Sequence, residues 1–232
     1  MNRKSVYLFF ILTSVVAYLS SCKEEEPQPP VTQQGFHYQY VPTNVGHEVV
    51  YDVQLIVKDE FTGIQDTTSY QLKELIESTF TDIAGRPTQR LERYVRSDSS
   101  AAWVINDVWT SNLMKDRFEN NEENNTYVKL RFPITLGLEW NGNLFNGQQE
   151  KTYTYTAIHQ PYTINGFSLD STTTVLQDDY EDLLEKRFEL ERYATGIGMV
   201  YKEATYIEKE FNSPGAIRSQ TRYIQKLISF SN

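Results

Sequence analysis

The chain has 232 residues, 39% of them apolar and 23% charged, with 16 Tyr, 12 Phe and 3 Trp. That composition can build one sizeable core, and it excludes a collagen-like, coiled-coil or wholly disordered chain. The formal charge of −9 disfavours a nucleic-acid partner and charge-driven docking on an anionic lipid surface, because both need a basic patch.

In chain order, the first segment is an address. Asn2, Arg3 and Lys4 form a short positive region, and Val6 to Leu19 is mostly apolar. That length suits a signal-peptide core and is short for a membrane span. The run ends Leu19-Ser20-Ser21-Cys22, which resembles the lipobox of bacterial lipoproteins. Small residues admit the peptidase, and the thiol after the cut carries the lipid. Cys22 is the single cysteine; a buried thiol, or an incidental one after an ordinary signal peptide, is the competing reading. More than one acyl chain makes a stable anchor. Lys23-Glu24-Glu25-Glu26 resembles the surface-export signal of Bacteroidota lipoproteins, although an acidic solvated linker would look the same.

These readings divide the chain into a signal peptide (1–21), a lipidated acidic and Pro/Gln tether (22–34) and a single β domain (35–232). Losing Arg3 and Lys4 with the signal would move the formal charge from −9 to −11. With Cys22 lipidated, the domain holds no thiol for a disulfide, a zinc site or a nucleophile.

The domain is dominated by period-2 alternation. Val49 to Val57 reads as a strand, and Phe61-Thr62-Gly63 as a hairpin turn. Thr68 to Phe80 could be helical by its Leu72, Leu75, Ile76 spacing, but its Thr, Ser and Tyr content favours a strand. In Gln89 to Arg96 the polar residues Arg90, Glu92, Tyr94 and Arg96 alternate with Leu91, Val95 and an out-of-pattern Arg93. Ala102 to Trp109 follows, then a polar loop over Glu119 to Asn125, and strands at Tyr127 to Phe132 and within Gly137 to Gly142.

Lys151 to Ile158 alternates again, and Asn165-Gly166 signals a hairpin within Tyr162 to Val175. Tyr180 to Arg187 reads as a helix, with acids early and Lys186-Arg187 late. Phe188 to Tyr193, Met199 to Lys209 and Ile217 to Phe230 complete the strands. The expected fold is all-β: a single antiparallel meander forming a strongly curved sheet or open half-barrel with one or two short helices, a β-sandwich being the alternative. Leu91-Glu92-Arg93-Tyr94 recurs at 190–193, but the flanks do not match and no duplication is inferred.

Catalytic and metal signatures fail. Gly166-Phe167-Ser168-Leu169-Asp170 lacks the last glycine of a nucleophile elbow. His37, His47 and His159 are not at ligand spacing. Asp178-Asp179-Tyr180-Glu181-Asp182 lacks the alternation and central glycine of a calcium loop. No cofactor, metal or catalytic residue is expected, and the chain is read as no enzyme. The candidate ligand-binding residues are Trp103 and Trp109, which with Ile105 and Asp107 would share one strand face. They would form either a sugar-stacking platform or, more commonly, core. A buried Asp107 there would need Arg90 or Arg93 as partner.

Three patterns carry a family resemblance. Val45-Gly46-His47-Glu48-Val49-Val50-Tyr51 resembles the opening strand of many Bacteroidota lipoproteins. Gly137-Leu138-Glu139-Trp140 resembles a later element of theirs, and Ala194 to Lys202 (ATGIGMVYK) a strand near their C-terminus. Together they resemble an outer-membrane lipoprotein family related to LolA/LppX-like half-barrels. That resemblance implies a curved sheet around a helix or ligand, while the lipobox and the Lys23 to Glu26 run lead to the expectation of an outer-membrane anchor at Cys22 and surface exposure. The expected role is a binding or structural module, with apolar-ligand binding in a cavity or surface glycan binding as alternatives.

Overall fold

Twelve antiparallel strands form one sheet in the computed structural model, which describes residues 35–211, 213 and 215–232. The strands are β1 (Glu48–Asp59), β2 (Ile64–Thr81), β3 (Pro87–Arg96), β4 (Val104–Leu113), β5 (Arg117–Glu122) and β6 (Asn125–Arg131). The second half contributes β7 (Glu139–Asn141), β8 (Thr152–Ile164), β9 (Phe167–Glu181), β10 (Glu185–Ala194), β11 (Gly198–Lys209) and β12 (Ile217–Ser231). Cys22 and the Lys23 to Glu26 run lie outside the described residues.

The strand order is β6-β5-β4-β3-β2-β1-β12-β11-β10-β9-β8-β7. The first and last strands therefore pair in the middle of the sheet, and the edges are β6 and β7. This is the expected all-β meander, curled until those edges meet. At the seam, the Val128 N–H donates to the Gly142 carbonyl (2.9 Å), and Trp140 Nε1–H donates to the Val128 carbonyl (2.8 Å). The Tyr155 hydroxyl accepts from the Arg131 N–H (2.9 Å) and donates to the Arg131 carbonyl (2.8 Å). Side chains thus satisfy the backbone groups that a bare sheet edge would leave open.

Local chemistry explains the strands and turns. Along β1, Tyr51 and Val53 are buried while Asp52 and Gln54 are exposed, as a half-buried strand requires. Asn165 and Gly166 both have positive φ (46° and 84°), the two-residue turn that Asn-Gly favours. The long Thr68 to Phe80 segment is strand, within β2.

Two expectations fail. The polar run Glu119 to Asn125 is not a loop: β5 extends to Glu122, and only Glu123 and Asn124, with φ of 50° and 68°, turn into β6. The helix read over Tyr180 to Arg187 is the β9–β10 hairpin. Asp182 Oδ1 accepts the N–H groups of Leu184 (2.8 Å) and Glu185 (2.7 Å), which bends the chain. The flanking charges pair between strands, Arg187 with Asp178 (3.1 Å) and Lys186 with Glu181 (2.9 Å). The acid-then-base order thus serves a hairpin ladder instead of a helix dipole. Among the described residues the helical structure is a 3-10 turn, Tyr38–Tyr40.

Two apolar clusters fill the barrel. One joins Tyr40, Leu130, Trp140, Tyr155 and Val175 near the seam. The other joins Val49, Tyr51, Leu72, Val200 and Leu227 near the β1–β12 pairing. The segment before β1 packs inward: Tyr40 is fully buried, and its hydroxyl lies 2.9 Å from His159 Nδ1 and 2.7 Å from Ser171 Oγ.

Candidate functional site

Between the two apolar clusters the lumen holds a cavity of about 110 Å³. Its apolar walls include Val49, Ile76, Leu91, Phe118 and Met199. Six charged side chains also line it: Glu74 on β2, Arg93 on β3, Glu122 on β5, Lys129 on β6, Glu191 on β10 and Lys202 on β11.

These charges form two networks. Lys129 Nζ bridges Glu122 (2.9 Å) and Glu191 (3.0 Å), and Lys202 adds to Glu191 at 3.3 Å. The Tyr193 hydroxyl donates to the other Glu191 oxygen (2.6 Å). Lys129 reaches this position because the β5–β6 register slips between Phe118 and Glu119. Phe118 pairs with Leu130 and Glu119 with Val128, which leaves Lys129 as the extra residue.

Burial by itself raises the Glu191 carboxyl, but the Lys129 and Lys202 ammonium groups outweigh it and hold the group down at about 2. Burial likewise pulls the Lys129 ammonium down, and Glu122 and Glu191 reverse this, driving it well above the lysine range. Burial raises the Tyr153 hydroxyl, which faces the same acids.

In the second network Arg93 donates to Glu74 (3.0 Å) and to Asp107 (2.9 Å). Its guanidinium also stacks 3.6 Å from the Trp109 ring centroid. Burial pulls the Arg93 guanidinium down, and Glu74 leads the groups that more than offset it.

The structure separates the two candidate tryptophans. Arg93 pairs with Asp107 and Tyr94 with Ile105, so Asn106 is an extra residue on β4. That shift turns the strand over: Trp109 lines the lumen, while Trp103 lies outside beside Arg96 (4.2 Å) and Lys73 (5.2 Å). The expected shared face for Trp103, Ile105, Asp107 and Trp109 is thereby corrected, and Trp103 and Trp109 form no common platform. Asp107 does pair with Arg93, one of the two partners expected for it. The repeated Leu-Glu-Arg-Tyr is likewise unrelated in geometry. Leu91 and Arg93 face the lumen on β3, whereas Glu191 and Tyr193 face it on β10.

Most polar groups on the wall have protein partners. The Tyr51 hydroxyl donates to the Met199 carbonyl (3.0 Å), and the Tyr223 hydroxyl to Gln225 Oε1 (2.7 Å). His47 Nε2 donates to the Ile197 carbonyl (2.9 Å), and its Nδ1 lies 2.8 Å from Asn232 Oδ1. Trp109 Nε1, Asn120 Oδ1 and Gln225 Nε2 are buried and have none. His37 and His159 meet outside this wall at 4.3 Å between ring centroids; burial, then His159, lowers the His37 imidazole. Among the described residues no three His, Cys, Asp or Glu converge on a point that could hold a metal.

Sequence reasoning missed Glu74, Asn120, Glu122, Lys129, Glu191, Lys202 and Gln225. The available signal was a charge at an apolar position, as in Val128-Lys129-Leu130 and the out-of-pattern Arg93. The first and third family-like patterns meet at this wall through the His47–Ile197 and Tyr51–Met199 bonds, while the second supplies Trp140 to the seam.

No family model and no curated protein matches the chain. Two solved structures are similar to the chain. One is a protein from Bacteroides fragilis NCTC 9343 described as exported, with a YmcC-like fold (TM-score 0.43, 9% identity, 85% of this chain and 100% of that one). The other is a protein from Parabacteroides distasonis ATCC 8503 described as a lipoprotein (TM-score 0.40, 10% identity, 83% of this chain and 98% of that one).

Proposed function

We propose that the chain is a lipid-anchored cell-envelope protein, held to the outer membrane through Cys22 and exported by Lys23 to Glu26, whose barrel lumen binds a small polar ligand without transforming it. The observation that carries the binding reading is the lumen cavity, with the two ion-pair networks on its wall.

Binding is favoured over catalysis because the six charged side chains on the wall are all engaged in ion pairs. A general base would need a carboxylate free to take a proton near neutral pH, and Glu191 is held far below that. A polar ligand is favoured over an alkyl chain, because six charged side chains line the wall and methylene groups would desolvate them without a hydrogen bond in return. The separation of Trp103 from Trp109 removes the feature that pointed to a surface glycan.

Native mass spectrometry of the protein extracted gently from its own envelope tests both parts. The anchor reading expects a chain that begins at Cys22 and carries acyl groups; a chain still bearing residues 1–21 without lipid refutes it. The binding reading expects a noncovalent adduct that is lost on denaturation, and a bare polypeptide refutes it.

A further inference from the structure

We infer that three hairpin tips hold the barrel down on the bilayer of its own anchor, pressing Phe61, Leu183 and Phe211 into a neutral lipid surface; the inference rests on the anchor at Cys22 proposed above. The first observation is where these side chains lie. The β1–β2, β9–β10 and β11–β12 turns share one end of the barrel, and their six strands are contiguous in the sheet. Phe61 is 92% exposed, Leu183 85% and Phe211 77%. One exposed apolar side chain needs no explanation, but here each of three adjacent hairpins carries one. The hairpins are tied to each other. The Glu60 N–H donates to the Arg218 carbonyl (2.9 Å), the Lys209 N–H to the Leu184 carbonyl (2.7 Å), and Lys209 Nζ to Glu181 (2.8 Å). At about 4.8 Å per strand, neighbouring tips stand about 10 Å apart.

The second observation is that the turns do not require these residues. Asp59 Oδ1 accepts the N–H groups of Phe61 (2.9 Å) and Thr62 (3.2 Å), and Gly63 supplies the positive φ of 70°. Asp182 Oδ1 does the same work for Leu184 and Glu185. Polar side chains at the tips would serve such turns as well in water. Apolar ones there mark contact with a medium other than water.

Shape and charge select that medium. Separate points parted by charged residues offer no continuous face for a folded partner to cover. A fluid bilayer closes around each point. Residues 58–66, 179–187 and 208–218 carry nine acids and five bases, which fits neutral headgroups and disfavours anionic ones. The anchor supplies the bilayer. Residues 23–34 separate Cys22 from Gly35 and reach at most about 45 Å. β1 starts at the far end of the barrel and runs 12 residues to the β1–β2 turn, about 40 Å. The tips can therefore reach the membrane that holds Cys22, and tethering keeps them concentrated at its surface, so that three shallow contacts suffice.

The test uses the acylated protein, wild type and variants, reconstituted in phosphatidylcholine vesicles with and without bromine on the acyl chains. Phe61→Trp, Leu183→Trp and Phe211→Trp each place a fluorophore at a tip. Ile83→Trp places one at the fully exposed β2–β3 turn, at the opposite end. All four sites are on the surface, and circular dichroism checks folding. Bromine should remove the added emission at 61, 183 and 211 and spare that at 83. Phe61→Trp combined with Leu183→Ser and Phe211→Ser should lose most of this quenching, because one tip cannot hold the barrel down. Phosphatidylglycerol in place of phosphatidylcholine should weaken it. Quenching at 83 alone overturns the inference, as does quenching that is stronger on phosphatidylglycerol. Quenching at none of the four sites also overturns it and leaves the tips to a protein partner. Co-flotation of the wild type with the vesicles reads the anchor separately. A protein that floats without tip quenching keeps its anchor and loses this inference, and one that does not float loses both.

Discussion

Replacing Lys129 by methionine removes the cation shared by Glu122 and Glu191. Glu191 is 1% exposed and Lys129 6% by side chain, so solvent cannot substitute for the lost charge. Lys202, 3.3 Å from Glu191, is left to balance both acids. Breaking a buried pair by removing one member typically costs about 3–5 kcal/mol.

The pH dependence gives an independent measure. The Glu191 carboxyl sits at about 2 against an ordinary value of 4.5. Because the folded value is the lower one, its contribution is complete above the unfolded value and is lost as pH falls toward the folded one. At 1.36 kcal/mol per unit the whole effect is roughly 3 kcal/mol, of which about 2 kcal/mol disappears between pH 5 and pH 3.

The assay is urea unfolding of the wild type, Lys129→Met and Glu191→Gln at pH 7, 5 and 3. Wild-type stability should fall between pH 5 and 3 by about 2 kcal/mol more than that of Glu191→Gln. Parallel profiles for those two proteins, or a Lys129→Met cost below about 1 kcal/mol, would refute the picture of an ionised network in the lumen.

Other outcomes follow from the seam and the wall. Trp140→Phe should cost about 2 kcal/mol, since it strips the partner from the buried Val128 carbonyl, whereas Trp109→Phe removes a donor without a protein partner and should change stability by less than about 1 kcal/mol. Equilibrium unfolding of the pair reads the contrast, and equal costs would contradict it. Tyr155→Phe leaves both backbone groups of Arg131 without a partner. It should cost about 2 kcal/mol and speed amide exchange selectively at Arg131 and its β6 neighbours. Gly142→Ala would place a methyl group inside the Tyr153 ring, at the residue whose carbonyl closes the seam. A destabilisation of about 1–3 kcal/mol is expected, and a melting temperature unchanged from wild type would show that the seam yields freely.

The fold class was legible because strand alternation is local. Each of Val49 to Val57, Tyr127 to Phe132 and Lys151 to Ile158 declares its two faces without reference to a neighbour, and Asn165-Gly166 declares its turn. The helix over Tyr180 to Arg187 misled because charge order along a chain looks the same in a helix and in a hairpin. The difference is made by Glu181 lying across from Lys186 and by Asp178 reaching Arg187 on the diagonal, which is a fact of pairing.

The site was mostly illegible for a similar reason. One extra residue flips every side chain beyond it, and the extra residues here are set by the partner strand: Asn106 opposite Arg93-Tyr94, and Lys129 opposite Phe118-Glu119. The sequence therefore determined an all-β meander and an expected anchor at Cys22. The tertiary structure alone decided that β6 would meet β7, that Trp103 and Trp109 would part, and that Lys129 would find Glu191 62 residues away. A buried charge is tolerable only beside its counter-charge, and no local pattern records which distant strand supplies it.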